Sequence, residues 1–296
     1  MTNAASTSRA ILVVGGQGFL GGYIVAALRA RGWRVVCAVR PRSASPDDGD
    51  TRSVDLSKMQ AAESWREILD GIDGVVNVAG ILREVGKDTF EAIHVGAPAA
   101  LAKACVETGI RNFVQISALG QIDDGEFIAS KYRFDALMLQ LAANATVLRP
   151  SVVYATTGSY GGTSLLRALA GFPGFSPLPA DGRWLLQPVA AEDLGELVAI
   201  AIERNLRGIY EVGGPDVISL RDYQAAWRRW MRIVGTRFLQ VPEALVNLQV
   251  WIGERLGRGP TGETMWRMLR RNNVLPTGAK TRLQEDFGFV PRALDQ

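Results

Sequence analysis

Unbroken apolar runs alternate along this chain with stretches in which apolar residues return every third or fourth position. The runs at residues 11–14, 33–39, 75–78, 111–117 and 146–148 read as strands covered on both faces. A further short strand is expected to end at Val54-Asp55-Leu56. Helical spacing follows Gly22 through Leu28 and recurs over 57–69 (Met59, Ala62, Trp65, Ile68, Leu69). It returns over 90–106, where Pro98 either kinks the helix or opens a new turn, and over 127–142 (Tyr132, Phe134, Leu137, Met138, Leu141). Residues 43–50, rich in Pro, Gly and Asp, are expected to form a loop. Strand and helix thus alternate six times, which implies an α/β fold: a doubly wound parallel sheet of Rossmann type.

After Arg149-Pro150 the rhythm changes. A glycine-rich loop over 156–162, a helix fragment over 165–169, a proline-rich loop over 171–179, a strand over 184–186, a helix over 192–202 and a strand over 209–212 are expected. The tail reads as helical. Ser219 suits the N-cap of a helix with Tyr223, Trp227, Trp230, Met231 and Val234 on one face. A second helix begins near Pro242 with Leu245, Leu248, Trp251, Ile252 and Leu256 on its face, and a third spans about 264–271. The expected organisation is a Rossmann-type domain over 1–155 and a smaller C-terminal α-rich lobe over 156–296, with 184–213 returning in part to the main sheet.

Composition narrows the class. With 296 residues, 47% hydrophobic and 21% charged, the chain can bury a substantial core. No window approaches 18 uninterrupted apolar residues, so no transmembrane helix is expected, and the small polar residues 1–8 give no secretory signal. Cys37 and Cys105 fall in apolar elements and read as buried free thiols of a reducing compartment. No metal-ligand spacing is present, and the single histidine, His94, opens an apolar helix face and reads as structural. Residues 221–282 hold twelve Lys/Arg against four Asp/Glu, which fits either an anionic partner or the solvated faces of ordinary helices.

The candidate chemistry is concentrated in Gly15-Gly16-Gln17-Gly18-Phe19-Leu20-Gly21, where the first strand stops and a helix opens. Gly15 permits the sharp turn, Gly18 a close approach to a pyrophosphate, and Gly21 close helix-to-strand packing, with free N–H groups facing the phosphates. A second strand about 30 residues on completes the expected strand-helix-strand unit.

These glycines, with Val54-Asp55-Leu56, Asn77-Val78-Ala79-Gly80, Ile116-Ser117-Ala118-Leu119-Gly120, Leu148-Arg149-Pro150-Ser151 and Gln187-Pro188-Val189, stand in the order seen in extended and atypical short-chain dehydrogenases/reductases, which the chain resembles. More narrowly, 80–84, 90–95, 117–120 and Gly213-Gly214-Pro215-Asp216 are similar to the NADPH-binding accessory subunit of respiratory complex I and its stand-alone bacterial relatives. The likeness runs from about residue 10 to 220, with Met268-Leu269-Arg270-Arg271-Asn272-Asn273 similar to the same group. It implies a cofactor held by Gly15, Gln17, Gly18, Phe19, Leu20, Gly21, Arg40, Asp55, Leu56, Val78, Ala79, Gly80, Ser117, Lys131 and Pro150. Arg40 ends the second strand, where relatives with an acid read both ribose hydroxyls, and Arg42 follows two residues on. A guanidinium suits a 2′-phosphate, so NADP(H) is favoured over NAD(H).

Active relatives use a tyrosine, a lysine four residues later and a serine or threonine after the fifth strand. Here the lysine is Lys131 and the tyrosine position is Phe127, which cannot relay a proton. Tyr132 lies about 140° away around the helix. The serine position falls on Ser117 or Ala118. Three readings follow: a cofactor-binding protein without turnover, in a structural, assembly or redox-linked role; a reductase or epimerase of a quinone, enone or sugar-nucleotide substrate using Lys131, Tyr154 or Tyr160 beside Trp184; and an NmrA-like redox sensor. The partners expected are a dinucleotide and a respiratory or membrane-associated complex, with the Arg/Trp-rich C-terminal helices as a candidate peripheral membrane contact. No nucleic acid is expected. Cytoplasmic placement is expected, with the inner face of the membrane as the peripheral site.

Overall fold

The structure, a computed structural model, describes residues 9–41, 50–141, 145–235, 237–256 and 262–294. Residues 1–8, Arg42 and nearly all of the expected 43–50 loop lie outside the described residues. So do 142, the expected last residue of one helix, and the side chain of Leu256. The chain divides into two compact units that interleave along the sequence. The first comprises 1–117, 130–149 and 192–210, and the second 118–129, 150–191 and 211–296. This division does not follow the linear boundary expected at 155/156.

In the first unit, strands β1 (Ala10–Val14), β2 (Arg34–Val39), β3 (Thr51–Ser53), β4 (Gly74–Asn77), β5 (Asn112–Ile116) and β6 (Ala145–Pro150) form the main sheet. Its order is β6-β5-β4-β1-β2-β3, and strand Gly208–Val212 stands beside β6. The pairings β1/β2, β1/β4, β2/β3, β4/β5 and β5/β6 are all parallel. The order reverses between β1 and β4, and such sheets bind ligands in the crevice at that switch point. Every residue of β1 is buried, as a strand covered on both faces requires. Helix α1 (Phe19–Ala30) packs against α5 (Ala191–Arg204) through Gly195, where a Cβ would stand 2.8 Å from the Tyr23 carbonyl oxygen. Val36, Trp65, Val75, Leu101, Phe113, Phe134, Met138 and Val147 fill the core.

Two helices expected here differ. Residues 57–69 form three short 3-10 turns, Leu56–Lys58, Ala62–Trp65 and Glu67–Leu69. The Trp65 indole N–H donates to the Met59 carbonyl at 3.1 Å, taking the acceptor that an α-helix would offer to residue 63. Residues 90–106 divide into a π-helical stretch, Glu91–Gly96, and α2 (Ala97–Thr108), which carries Pro98 in its first turn. Proline is tolerated there because first-turn N–H groups have no intrahelical acceptor. In α3 (Glu126–Leu141) Phe134 and Met138 are buried, whereas Leu137 and Leu141 are exposed.

The second unit has its own core of Tyr154, Leu178, Trp184, Leu186, Leu220, Tyr223, Trp227, Val250 and Trp266. It holds α4 (Gly161–Ala170), α6 (Leu220–Trp230), α7 (Glu243–Leu256), α8 (Glu263–Arg270) and α9 (Ala279–Phe287). Leu185–Leu186 pairs antiparallel with Ile218–Ser219, and Val189–Ala190 parallel with Val153–Tyr154. Of the elements expected to return to the main sheet, only Gly208–Val212 stands in it among the described residues. Ser219 caps α6, accepting from the Asp222 N–H at 3.0 Å. That helix stops at Trp230, the chain turning back at Arg232 with φ 57°, so Val234 lies outside the expected face and is 98% exposed. In α7, Val246 and Val250 face the core; the expected face of Leu245, Leu248, Trp251 and Ile252 is exposed.

Two tail residues hold together chain segments that carry three separate motifs. The Asn273 side chain accepts from Ser151 Oγ at 2.6 Å and donates to the Leu119 carbonyl at 3.1 Å. Arg271 grips the buried Asp124 carboxylate with Nε and a terminal nitrogen.

Candidate dinucleotide site

The glycine turn closes where β1 ends. Gly15 adopts φ 89°, which only glycine takes without strain, and the Gly18 N–H donates to the Gly15 carbonyl at 2.9 Å. A Cβ at Gly15 would stand 2.9 Å from the Ala79 nitrogen, and one at Gly21 would stand 2.1 Å from the Gly15 carbonyl oxygen. Backbone from β1 and from the stretch after β4 therefore approach as closely as glycine permits. No side chain caps α1, and its first turn has no acid, so its leading N–H groups can take a phosphate. Gln17 and Gly18 are exposed, while Phe19 and Leu20 are half-buried. At Gly16, to which the motif spacing assigns no role, a Cβ would meet Cys37 Sγ at 2.8 Å, so the Cys37 side chain would have to shift. Cys37 and Cys105 are buried and form no disulfide among the described residues, with burial pushing the Cys105 thiol up to about 12.

At the β2/β3 end of this crevice the side chains are solvated ions. Arg40 pairs with Asp88 at 3.3 Å and is exposed. Asp55 accepts from Lys87 and from Ser57 Oγ, and those hydrogen bonds hold its carboxyl below the usual range. Lys87 and Asp88 come from a tight turn in which Val85 and Asp88 exchange backbone hydrogen bonds at 3.0 and 3.1 Å. Leu56 packs on the core. The structure thus brings Arg40 and Asp55 together through one hairpin.

At the α3 end the side chains are buried. A Cβ at Gly80 would stand 3.4 Å from both Lys131 Nζ and His94 Nε2, so both nitrogens flank that glycine. Lys131 donates to the Ile116 carbonyl at 3.2 Å, and burial pushes its ammonium down to about 8 against the pull of Asp135. His94 Nε2 accepts the Ile81 N–H at 3.0 Å, which puts the ring proton on Nδ1, 2.9 Å from Ser130 Oγ. Burial, reinforced by the Lys131 charge, pushes this imidazole down to about 2, so it is neutral and structural. Ser117 Oγ donates to Asp135 Oδ2 at 2.8 Å, and Arg149 Nε donates to the same oxygen at 3.0 Å. Burial raises the Asp135 carboxyl, with Arg149 opposing. Tyr132 lies under the Arg149 guanidinium, 3.7 Å from ring centre to carbon, and so is turned to a different task from proton relay.

Gly15, Gly21, Ala79, Gly80, Ser117 and Lys131 therefore line one run of strand ends in the first unit, together with Val78. Pro150 and Phe127 belong to the second unit, as do Tyr154, Tyr160 and Trp184. Tyr154 and Trp184 are core residues there, whereas Tyr160 is exposed at the start of α4. Sequence reasoning misses Asp135, although its position four residues after Lys131 in α3 is an available signal. Among the described residues no cluster of His, Cys, Asp or Glu could hold a metal, and no helix is long and apolar enough to cross a membrane.

Comparison with known proteins agrees with the fold. The sequence model of the NAD dependent epimerase/dehydratase family matches residues 11–160. Among relatives, the mitochondrial NADH dehydrogenase [ubiquinone] 1 alpha subcomplex subunit 9 of Arabidopsis thaliana is 27% identical over 246 residues, covering 76% of this chain and 60% of the relative. The chloroplastic divinyl chlorophyllide a 8-vinyl-reductase of Oryza sativa subsp. indica is 26% identical over 279 residues, covering 86% and 66%. The chain thus spans less than two thirds of the length of these curated relatives. The crystal structure of UDP-glucose 4-epimerase from Thermus thermophilus with NAD shares the fold at TM-score 0.65 and 21% identity, covering 90% of this chain and all of that one.

Proposed function

Because the chain belongs to the NAD dependent epimerase/dehydratase family, we propose that it holds a nicotinamide dinucleotide, NADP(H) in preference to NAD(H), without turning a substrate over. The observation that carries this reading is the composition of the α3 end. Phe127 stands one helical turn before Lys131, and the Ser117 hydroxyl is committed to the buried Asp135 carboxylate. Neither hydroxyl that proton relay needs is on offer. What remains suits retention: Gly15, Gly18 and Gly21 with the open start of α1 for the pyrophosphate, Asp55 and Leu56 on the adenosine side, Arg40 for a 2′-phosphate, and Lys131 beside Gly80 for the second ribose. Gln17, Phe19, Leu20, Val78, Ala79 and Pro150 complete the proposed set.

The complex I subunit named above is one of the relatives, and a structural or redox-linked role in a respiratory assembly is the setting we favour. The test is anaerobic titration with NADPH and NADH, followed by addition of a short-chain quinone. Tight NADPH binding with a steady reduced-nicotinamide absorbance supports the reading, and quinone-dependent decay refutes it. Clearly different affinities for NADPH and NADP+ would move the reading to redox sensing.

One observation favours a second reading, a reductase or epimerase acting on a quinone, enone or sugar nucleotide. The Lys131 ammonium, lowered to about 8, can release its proton near neutral pH. A bound nicotinamide would supply hydride, and Lys131 would hold the proton that reduction of a carbonyl requires. Loss of quinone-dependent oxidation in Lys131→Met, with NADPH still bound at saturating concentration, would support it.

A further inference from the structure

Arg228 in the second unit is fully buried, and both terminal nitrogens of its guanidinium are taken up by backbone. One terminal nitrogen donates to the carbonyls of Ala170 at 2.8 Å and Phe172 at 2.9 Å, and the other to Gly235 at 3.1 Å. The Ser176 N–H donates to the Arg237 carbonyl at 2.8 Å, and Phe172 packs on Phe175 with ring centres 4.9 Å apart. The turn 171–175 after α4 is thereby fastened to residues 231–235 and Arg237 after α6, and together they form one tip.

That tip exposes what a core would normally take. Val234 is 98% exposed, Trp230 55% and Phe172 46%. Around them Arg229, Arg232 and Arg237 are exposed, and no acid occurs from Tyr223 to Pro242 or from Gly161 to Ala180. A solvent-adapted tip carries mixed charges and hides its aromatics. Exposed apolar side chains on segments that carry arginine and no acid match an anionic bilayer, whose headgroups attract the cations while Trp and Val enter the acyl boundary. The exposed face of α7 is the rival apolar surface, but it carries Glu254 beside Arg255, a mixed charge that the tip lacks.

We propose that this tip docks the protein on an anionic membrane surface, with Trp230, Val234 and Phe172 inserted and Arg229, Arg232 and Arg237 against the headgroups. The proposal rests on surface chemistry and is independent of the cofactor reading, so either can fail alone.

The experiment is co-sedimentation of the full chain with phosphatidylcholine vesicles, with and without added phosphatidylglycerol. Binding about a hundredfold tighter to the anionic vesicles at low salt, and weakening as salt is added, is expected. Trp230→Ser with Val234→Ser should abolish it, and Arg232→Gln with Arg237→Gln should reduce it to the level of the neutral vesicles. Circular dichroism should stay as in the parent chain for both pairs; the thermal midpoint should hold for the exposed arginines and fall modestly where Trp230 leaves its edge contact with Trp227. No binding to anionic vesicles, equal binding to both compositions, or binding lost only in Leu248→Ser with Trp251→Ser would overturn the proposal.

Discussion

The two ends of the glycine crevice in the first unit use charge in opposite ways. At the β2/β3 end, Arg40, Lys87 and Asp88 meet in water, where ion pairs are easy to break and re-form. At the α3 end, Lys131, His94, Ser117 and Asp135 are buried and bound to one another or to backbone. Exposed pairs contribute roughly 0–1 kcal/mol, whereas breaking a buried one costs several. One end is therefore free to adapt to a ligand, and the other fixes the geometry into which a ligand must fit.

That contrast can be broken most severely at Asp135. Asp135→Ala leaves Arg149 and Ser117 without their shared acceptor, and urea unfolding should show a loss of about 3–5 kcal/mol. An equal change in Asp88→Ala would erase the distinction between the ends.

Lys131 comes next. Its folded value of about 8 lies below the ordinary 10.5, so the uncharged amine is favoured by folding. The associated stability is present above pH 10.5 and is lost as pH falls toward 8, by about 3 kcal/mol, with no further loss below. Lys131→Met should abolish this slope, hold or raise stability at neutral pH, and weaken NADPH at least about tenfold, since one charge-assisted hydrogen bond contributes roughly 1.5–3 kcal/mol. A variant with weaker NADPH and an unchanged pH slope would contradict the burial argument.

A smaller effect sharpens the solvated end. Arg40→Ala should weaken NADPH about tenfold and leave NADH nearly unchanged, measured by fluorescence titration at low salt. The smallest is Asp88→Asn, which frees Arg40 from its partner and should tighten NADPH by about two- to fivefold with stability within about 0.5 kcal/mol of the parent.

Much of the frame is readable in residue patterns. Parallel order follows from alternating runs such as 11–14 and 75–78, and the glycine turn announces itself through the positions where any Cβ would collide. Residues 57–69 mislead because their helical spacing reflects Trp65 and Leu69 reaching the core from separate turns, and spacing alone does not show which group takes the Met59 carbonyl. Ser117 reads as a free hydroxyl because its acceptor, Asp135, lies 18 residues on. The hairpin that carries Lys87 and Asp88 to Arg40 and Asp55 joins residues 32 to 48 apart in sequence, which no local pattern records. In the tail, amphipathic spacing correctly indicates helices but not their orientation, since α7 is apolar on more than one face and Val246 and Val250 are the apolar side chains that turn inward among the described residues.

The most direct test of the central claim is to titrate the full chain anaerobically with NADPH and NADH and then follow the reduced-nicotinamide absorbance of the NADPH complex after adding a short-chain quinone. Tighter binding of NADPH than NADH, with absorbance that holds steady, is the predicted result. Preference for NADH, or absorbance that decays in proportion to the quinone, would contradict a retained 2′-phosphorylated cofactor at a site that Phe127 leaves without its proton relay.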